Sequence, residues 1–258
     1  MKIVRFRTRP QGPQYGWLDI DKVGVIQGDI FGEYRRFDPE FSLDEVELLL
    51  PCQPSKVIGV GLNYTDHIRE MGSESPQLPL LFLKPPSSMI TNGQPIVVPP
   101  ISKRVEHEAE LAIIIGKRGR YLDLSAAREA IFGYSIANDV TARDLQASDG
   151  QWTRAKGFDT FCPFGPWIET ELDASDALIT CHVNNSLRQM ASTRDMLFDP
   201  LQLVVFISSV MTLNPGDVIL SGTPSGVGPL EAGDTVSIHI DGIGSLINTV
   251  KAADEVLG

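Results

Sequence analysis

The sequence predicts a mainly β protein of the α+β class. Short strand candidates recur along the chain, and turns that contain proline or glycine separate them. Two turns, Asn184-Asn185 and Asp241-Gly242, lie between strand-like segments and are typical of β-hairpins. A clear helix signal also occurs, because Asp199-Pro200 offers a capping side chain and a proline for the first turn. We therefore expect many strands, at least two hairpins and a smaller share of helix.

The first 50 residues predict a small β-rich unit, with strands at residues 2–6, 15–20 and 22–26. Ser42 and Glu45 have the spacing of a capping box, which predicts a short helix through Leu50. Two prolines, Pro51 and Pro54, then break that helix. The chain is thus predicted to contain an N-terminal β-rich domain, residues 1–52, and a larger domain, residues 53–258.

The larger domain is expected to contain strands with a few helices between them. Strands are predicted at residues 56–61, 80–83, 111–115, 132–140, 177–183, 186–191, 218–221, 235–240 and 245–250. Helices are predicted at residues 63–72, 125–131 and 199–213. Their expected N-caps are Asn63 or Thr65 for the first, Ser125 for the second and Asp199 for the third.

Composition limits the possible partners. The 258 residues are 42% hydrophobic, enough for a full core. The formal net charge of −11 argues against a nucleic-acid or anionic-membrane partner. We expect a cytoplasmic protein, because we find neither an apolar run of membrane-spanning length nor the long apolar region of a signal peptide. The three cysteines lack metal-type spacing, and we expect no disulfide.

An acidic stretch precedes the apolar segment 111–115. If Glu106, Glu108 and Glu110 belong to one strand, their side chains share a face, with backbone positions roughly 6.5–7 Å apart. Carboxylates that close beside a core are stabilised by a hard divalent cation, whereas an exposed strand end would leave them solvated. Asp139, at the end of a predicted strand, is the candidate third ligand, and Asp144 and Asp149 are alternatives.

Two further polar groups are candidates for chemistry. His67 and Glu70 are three residues apart on a predicted helix, so the carboxylate can orient the imidazole as a general base. An incidental pair on a solvated helix is the alternative, and the following segment, residues 72–79, would permit a mobile lid. Lys156 lies among aromatic residues. It is either a surface lysine or a partly buried cation that pairs with Asp159 and contacts a substrate carboxylate.

Motifs for other chemistries are incomplete. The glycine-rich segment 222–228 lacks the Gly-Lys-Ser/Thr ending of a phosphate loop and does not match Gly-x-Ser-x-Gly. Gly59 and Gly61 do not begin a dinucleotide-binding fingerprint, because Tyr64 occupies its last position. We therefore expect neither a nucleotide cofactor nor zinc.

Taken in order, these segments resemble the fumarylacetoacetate hydrolase family. The similarity covers roughly residues 55 to 250. It is carried by Gly61-Leu62-Asn63-Tyr64-x-x-His67-x-x-Glu70, Phe82-Leu83-Lys84-Pro85, His107-Glu108-x-Glu110-Leu111, Asp139-Val140-Thr141-Ala142-Arg143-Asp144, Lys156-x-x-Asp159 and Ser221-Gly222-Thr223-Pro224-x-Gly226-Val227-Gly228.

The resemblance implies a mixed β-sandwich roll, a homodimer and Mg²⁺ or Mn²⁺ held by Glu108, Glu110 and Asp139. It places Glu106 outside the ligand set, around it or at the surface. The implied catalytic residues are His67, Glu70 and Lys156. The implied substrate-binding residues are Arg143, Gln146 and Thr223.

The substrates implied by the resemblance are small 2-oxo acids. A metal-bound 2-oxo acid can lose a neighbouring acyl group to water or lose carbon dioxide, since the cation stabilises the enolate that remains. We therefore expect an acylpyruvate hydrolase or oxaloacetate decarboxylase. One alternative is an isomerase or decarboxylase of 2-hydroxymuconate-type diacids from aromatic catabolism. Another is a non-catalytic protein that binds metal and a 2-oxo acid.

Overall fold

The computed structural model describes residues 1–9 and 11–257. In these residues the strands are β1 (Lys2–Thr8), β2 (Gln11–Asp19), β3 (Lys22–Gly28), β4 (Tyr34–Ser42), β5 (Glu47–Leu48), β6 (Val57–Gly61), β7 (Leu80–Lys84), β8 (Met89–Ile90), β9 (Ile96–Val98), β10 (Val105–His107), β11 (Ala109–Ile115), β12 (Ile131–Asn138), β13 (Thr141–Ala142), β14 (Cys162–Glu169), β15 (Leu178–Val183), β16 (Ser186–Ser192), β17 (Val218–Leu220), β18 (Gly228–Pro229), β19 (Thr235–Ile240) and β20 (Gly244–Ala252). The helices are α1 (Thr65–Glu70), α2 (Leu124–Ala130), α3 (Arg143–Asp149), α4 (Thr153–Lys156), α5 (Pro200–Val210) and α6 (Asp254–Leu257).

Three sheets form the molecule, and the predicted mainly β class is confirmed. The largest runs in the order β4-β3-β2-β1-β14-β12-β11-β17-β6-β7, with β5 and β8 attached at its side. A second sheet runs β16-β15-β19-β20-β9, and a third, short one runs β13-β10-β18. Most pairs are antiparallel, whereas β17 and β6, β20 and β9, and β14 and β8 are parallel. The sheets are therefore mixed, as expected.

Strand β11 lies at the centre of the largest sheet, between β12 and β17. All seven of its residues are buried. Ile113 and Ile115 pack in a cluster with α5 residues such as Leu203 on one side, while Ile114 packs in a separate cluster. A strand covered on both faces needs an almost continuous apolar sequence, which explains the run that follows the acidic stretch.

The N-terminal strands continue the largest sheet. Strand β1 pairs antiparallel with β14, which brings Lys2 opposite Glu169 and Ile3 opposite Ile168. The predicted boundary between residues 52 and 53 lies in the connection from β5 to β6. Backbone hydrogen bonds thus join the first 50 residues to the remainder of the protein.

The helix predicted from Ser42 to Leu50 is wrong. The capping box forms between Ser42 and Glu45, but the helix is a single 3-10 turn, Leu43–Glu45. The chain then becomes extended as β5, and Leu48 pairs with Phe6 of β1. The open edge of β1 supplies backbone partners that a longer helix would otherwise have to provide.

Two other helix starts differ from prediction. Asp123, rather than Ser125, caps α2, since its side chain accepts a hydrogen bond from the Ala126 amide. Helix α1 begins after Tyr64, without a side-chain cap. The Asn63 side chain is occupied instead by main-chain groups of Phe198 and Ser221.

Both hairpins and the α5 cap are confirmed. Asn184 and Asn185 connect β15 to β16, and both have positive φ angles. The second hairpin joins β19 to β20. Helices α3 and α4, in contrast, were not predicted.

The three cysteines are free and buried. Among the described helices, none has the length and apolar character that crossing a membrane requires.

The α5 cap gives a stability prediction. Asp199 Oδ1 accepts from the Gln202 amide at 2.9 Å, and Gln202 Oε1 accepts from the Asp199 amide at 2.9 Å. Asp199→Ala should lower the free energy of unfolding by about 1 kcal/mol, measured by urea denaturation, because one helix donor loses its partner. Asp199→Asn is the control and should retain most of the stability. An equal loss in both variants would contradict a capping role.

Candidate active site

The site begins at a break between strands β10 and β11. His107 ends β10, Ala109 begins β11, and Glu108 lies between them. The Glu108 amide donates to Asn138 Oδ1, and the Glu108 carbonyl accepts from the Asp139 amide, both at 2.9 Å. Side chains therefore do not alternate through one uninterrupted strand, and Glu108 and Glu110 both approach Asp139 at the end of β12.

Three buried carboxylates converge at this point. One ligand oxygen from each of Glu108, Glu110 and Asp139 lies within 4.8 Å of the others. Both alternatives for the third ligand have other partners. Asp144 accepts hydrogen bonds from Ser102 and Lys103. Asp149 forms a salt bridge with Arg154.

Glu106 is buried and lies outside the three-carboxylate group, as the resemblance implies. Its carboxylate bonds Arg104 at 2.5 Å and Arg143 at 2.6 Å. Arg143 also bonds Glu108 at 2.5 Å. Glu106 therefore acts on the site through Arg143, whose guanidinium it helps to hold against Glu108.

Two buried lysines complete the charge balance. Lys156 Nζ lies 2.8 Å from Glu108 and 2.5 Å from Asp139. Lys84 Nζ lies 2.5 Å from the other oxygen of Asp139. The surface alternative for Lys156 is wrong, because the side chain is buried. The alternative pairing with Asp159 is also wrong, because Asp159 is exposed and Lys156 faces the carboxylates.

Lys84 was not predicted to belong to the site. Its side chain is fully buried and also donates to the Val140 carbonyl at 3.2 Å. A lysine at the end of the apolar strand β7 was an available signal, since a buried ammonium group requires an acidic partner. The sequence could not identify that partner, which lies 55 residues further along the chain.

The surroundings shift the pKa values of two of these carboxylates in opposite directions. Burial would raise the pKa of Glu108, but Lys156 and Arg143 outweigh it and hold that pKa well below its usual range. Burial and the negative charges of Asp139 and Glu108 raise the pKa of Glu110 well above the usual value. The Lys156 pKa is raised, because the two carboxylates outweigh the effect of burial. Glu110 is the acid whose charge is least compensated.

The donor set fits a hard divalent cation. It consists of carboxylate oxygens, the ligands that Mg²⁺ and Mn²⁺ prefer. Burial, together with the neighbouring Asp139 and Glu108, raises the pKa of Glu110, and a bound cation would oppose these effects by stabilising the charged carboxylate. Among the described residues, the Glu110 carboxylate accepts one hydrogen bond, from the Gly222 amide at 2.7 Å, and this bond uses a single carboxylate oxygen.

The His67–Glu70 pair lies against the same site. His67 is buried in α1, and its Nδ1 lies 3.0 Å from Glu70 Oε2. A carboxylate accepts, so Nδ1 donates in this contact, and in the neutral imidazole Nε2 then keeps its lone pair. Glu70 also accepts from the Gly226 amide at 3.0 Å, which ties α1 to the segment that follows β17.

A cavity of about 100 Å³ brings these groups together. It is lined by Val60, Gly61, Leu62, His67, Met71, Ser73, Phe82, Glu108, Glu110, Asp139, Arg143, Gln146, Trp152, Lys156 and Thr223. The cavity thus has a charged side and an apolar side, and it has the size of a compact small molecule.

The three predicted substrate-binding residues line this cavity, and all three already have hydrogen-bond partners within the protein. Arg143 donates to Gln146 Oε1 at 2.6 Å as well as to the two glutamates. The Thr223 hydroxyl donates to the Ala109 carbonyl at 2.9 Å and accepts from Gln189 at 2.7 Å. Its single proton is thus used within the protein.

Comparison with known proteins agrees with this fold. A model described as "Fumarylacetoacetate (FAA) hydrolase C-terminal" matches residues 56–251, and one described as "Rv2993c-like, N-terminal" matches residues 1–51. Protein Rv2993c of Mycobacterium tuberculosis is 52% identical, covering 97% of this chain and 98% of that protein. A mitochondrial oxaloacetate decarboxylase of Dictyostelium discoideum is 43% identical, covering 73% and 89%.

Two solved structures are also similar. The 2-hydroxyhepta-2,4-diene-1,7-dioate isomerase from Mycobacterium marinum has a TM-score of 0.91 and 43% identity, covering 98% of this chain and 99% of that one. Maleylpyruvate hydrolase from Sphingobium sp. SYK-6, in complex with manganese(II) ion and pyruvate, has a TM-score of 0.80 and 31% identity, with the same coverage. The chain belongs to the fumarylacetoacetate hydrolase family, which includes decarboxylases, isomerases and hydrolases.

The raised pKa of Glu110 predicts that metal binding releases a proton. Between the ordinary carboxyl pKa of 4.5 and its raised pKa, the metal-free Glu110 keeps the proton, which a cation must displace. Mn²⁺ affinity should therefore rise with pH, by up to about tenfold per unit for one proton, until the raised pKa is passed. Calorimetry in buffers of different ionisation enthalpy measures that proton.

The matched control is Glu129→Gln, which changes an exposed carboxylate paired with Lys117. This variant should bind Mn²⁺ with unchanged affinity and proton release. A Mn²⁺ affinity independent of pH in the native protein would contradict a protonated Glu110.

Proposed function

We propose that this protein is a divalent-metal-dependent enzyme that breaks a C–C bond in small 2-oxo acids. The observation that carries the proposal is one small cavity lined by three buried carboxylates, a buried lysine and His67, whose ring is paired with Glu70. Decarboxylation of oxaloacetate and hydrolysis of acylpyruvates are the two reactions that this arrangement serves.

Glu108, Glu110 and Asp139 would hold Mg²⁺ or Mn²⁺. When bound, the ion supplies a Lewis acid that stabilises the negative charge developing on the oxygens of a 2-oxo acid. The similarity to the Dictyostelium oxaloacetate decarboxylase supports the substrate class. The similarity to the maleylpyruvate hydrolase in complex with manganese(II) ion and pyruvate supports both the metal and the substrate class.

Lys156 attracts the substrate carboxylate and balances the acids. Its ammonium group is almost completely buried, contacts Glu108 and Asp139, and lies 5.0 Å from the centre of the Phe82 ring. Low-dielectric surroundings strengthen its attraction for an anion. Arg143 and Gln146 position the Glu108 carboxylate, because the Arg143 guanidinium donates to both Gln146 and Glu108.

His67 is the base for hydrolysis. Its Nε2 can take a proton from water, and Glu70 stabilises the imidazolium that forms. The water oxygen bonds to the acyl carbonyl carbon, the C–C bond to the 2-oxo acid breaks, and the electron pair remains on the 2-oxo acid fragment as an enolate. Proton return to that carbon yields pyruvate and a carboxylic acid. Decarboxylation needs no water, so His67 is dispensable for that reaction.

A second candidate is an isomerase or decarboxylase of 2-hydroxymuconate-type diacids. The specific observation in its favour is the similarity to the M. marinum isomerase along nearly the whole chain. A non-catalytic protein that binds metal and a 2-oxo acid is the alternative that would hold if oxalate bound but no substrate reacted.

The proposal includes a homodimer, which light scattering would test.

The metal and substrate assignments predict the result of one screen. With Mg²⁺ or Mn²⁺, the protein should turn over acetylpyruvate, fumarylpyruvate, oxaloacetate or a hydroxymuconate-type diacid, and EDTA should abolish that turnover. Glu108→Gln should lower Mn²⁺ affinity by more than about 100-fold, beyond the usual effect of groups surrounding a ligand. Full activity in EDTA, together with unchanged Mn²⁺ binding in Glu108→Gln, would overturn the metal assignment.

The role of the His67–Glu70 pair predicts a separation of activities. His67→Ala should lower acylpyruvate hydrolysis by about 10²–10⁴-fold, the usual contribution of a general base. Oxaloacetate decarboxylation and the affinity for oxalate should change little. Steady-state kinetics with both substrates measure the difference. Equal losses of both reactions at unchanged metal affinity would contradict the assigned role of His67.

A further inference from the structure

Gln189 is a fully buried side chain of β16 that the catalytic assignment does not use. Its Oε1 accepts from the Ala109 amide at 3.1 Å, and its Nε2 donates to the Pro224 carbonyl at 2.8 Å. These two main-chain groups fix the orientation of the amide, because one can only donate and the other can only accept. Nε2 also donates to Thr223 Oγ1, and Oε1 accepts from His107 Nδ1 at 3.0 Å.

The first group held by Gln189 is the peptide between two candidate metal ligands. Ala109 separates Glu108 from Glu110. The adjacent strand β17 ends at Leu220, and the next amide, Ser221, still donates to Leu111. At Ala109, side chains take over the hydrogen bonds that strand β17 provides further along β11. Gln189 accepts from the Ala109 amide, and Thr223 donates to its carbonyl.

The second group held by Gln189 is segment 221–228. Within this segment, the Gly222 amide donates to Glu110 at 2.7 Å, and the Gly226 amide donates to Glu70 at 3.0 Å. One segment therefore contacts both a candidate metal ligand and the partner of the candidate base. The position of segment 221–228 therefore affects the distance between Glu110 and Glu70.

Segment 221–228 also packs closely against the backbone of β16. Gly226 has a φ of +96°, and a Cβ there would lie 2.0 Å from the Arg188 carbonyl oxygen. Gln189, the next residue of β16, adds its two side-chain hydrogen bonds to Thr223 and Pro224. The strand thus contacts the segment at Thr223, Pro224 and Gly226.

We propose that Gln189 is a positioning residue, which sets the distance from the Glu108–Glu110 pair to the His67–Glu70 pair. It acts through the Ala109 peptide on one side and through Thr223 and Pro224 on the other. Its catalytic importance rests on the proposed function, whereas its effect on the segment can be measured without any substrate.

Gln189→Met tests this role. The replacement has similar length and removes all four hydrogen bonds, so amide hydrogen exchange in residues 221–228 and in α1 should accelerate by about tenfold or more. Exchange in β19 and β20 should remain unchanged. For turnover of whichever substrate the native enzyme accepts, kcat should fall by about tenfold or more, with a smaller change in KM, because the groups become misaligned.

A double-mutant cycle separates positioning from packing. If Gln189 acts through the Gly226–Glu70 contact, Gln189→Met should lower kcat much less in a Glu70→Gln background than in the native one. Leu187→Met is the control, because it places methionine at an exposed position of the same strand. This control should leave hydrogen exchange and kcat as in the native protein.

Two results would overturn the proposal. One is native exchange in residues 221–228 together with native kcat in Gln189→Met. The other is a kcat loss that is equal in both backgrounds. If Gln189→Met does not fold, Gln189→Asn replaces it, since asparagine keeps the amide but is one methylene too short to span Ala109 and Pro224. If the native protein turns over no substrate, the proposed function fails, and hydrogen exchange alone decides the role of Gln189.

Discussion

The site depends on offsetting the negative charge of three buried carboxylates. Two like charges about 4 Å apart repel by roughly 4 kcal/mol at an effective dielectric constant of about 20. Lys156 and Arg143 offset Glu108, and Lys84 and Lys156 offset Asp139. Glu110 forms no salt bridge among the described residues and accepts a hydrogen bond from Gly222, and its raised pKa favours the protonated acid. A bound cation would displace that proton and stabilise the Glu110 carboxylate.

The fold brings these charges together at the ends of its central strands. Lys84 is the last residue of β7, Asp139 follows β12, and Glu108 separates β10 from β11. The pairing of β11 with β12 places Glu108 and Asp139 at one edge of the largest sheet, where the Lys84 side chain contacts Asp139. The continuous burial of β11 anchors this edge, while the segment after β17 carries hydrogen bonds from Gly222 and Gly226 to the acids. Core packing and site geometry are thus parts of one arrangement.

Sequence patterns predicted the local features well where the responsible interactions are local. The Asp199 cap and the Asn184-Asn185 hairpin depend on contacts within a few residues, and both formed as expected. The predicted helix after Ser42 failed because β1, a distant segment, supplied a competing strand partner. Lys156 lines the cavity with the carboxylates, but Asp159, three residues further along the chain, is not its partner.

The sequence by itself determined the mainly β class, the order of motifs and the acids, histidine and lysine that the cavity contains. Only the tertiary structure decided which charges compensate one another, and it brought Lys84 and Gln189 into contact with the site. The physical reason is that hydrogen bonds and ion pairs require atoms within about 3 Å. Whether residues 55 or 80 positions apart meet that requirement depends on sheet pairing and strand breaks, which no short sequence pattern records.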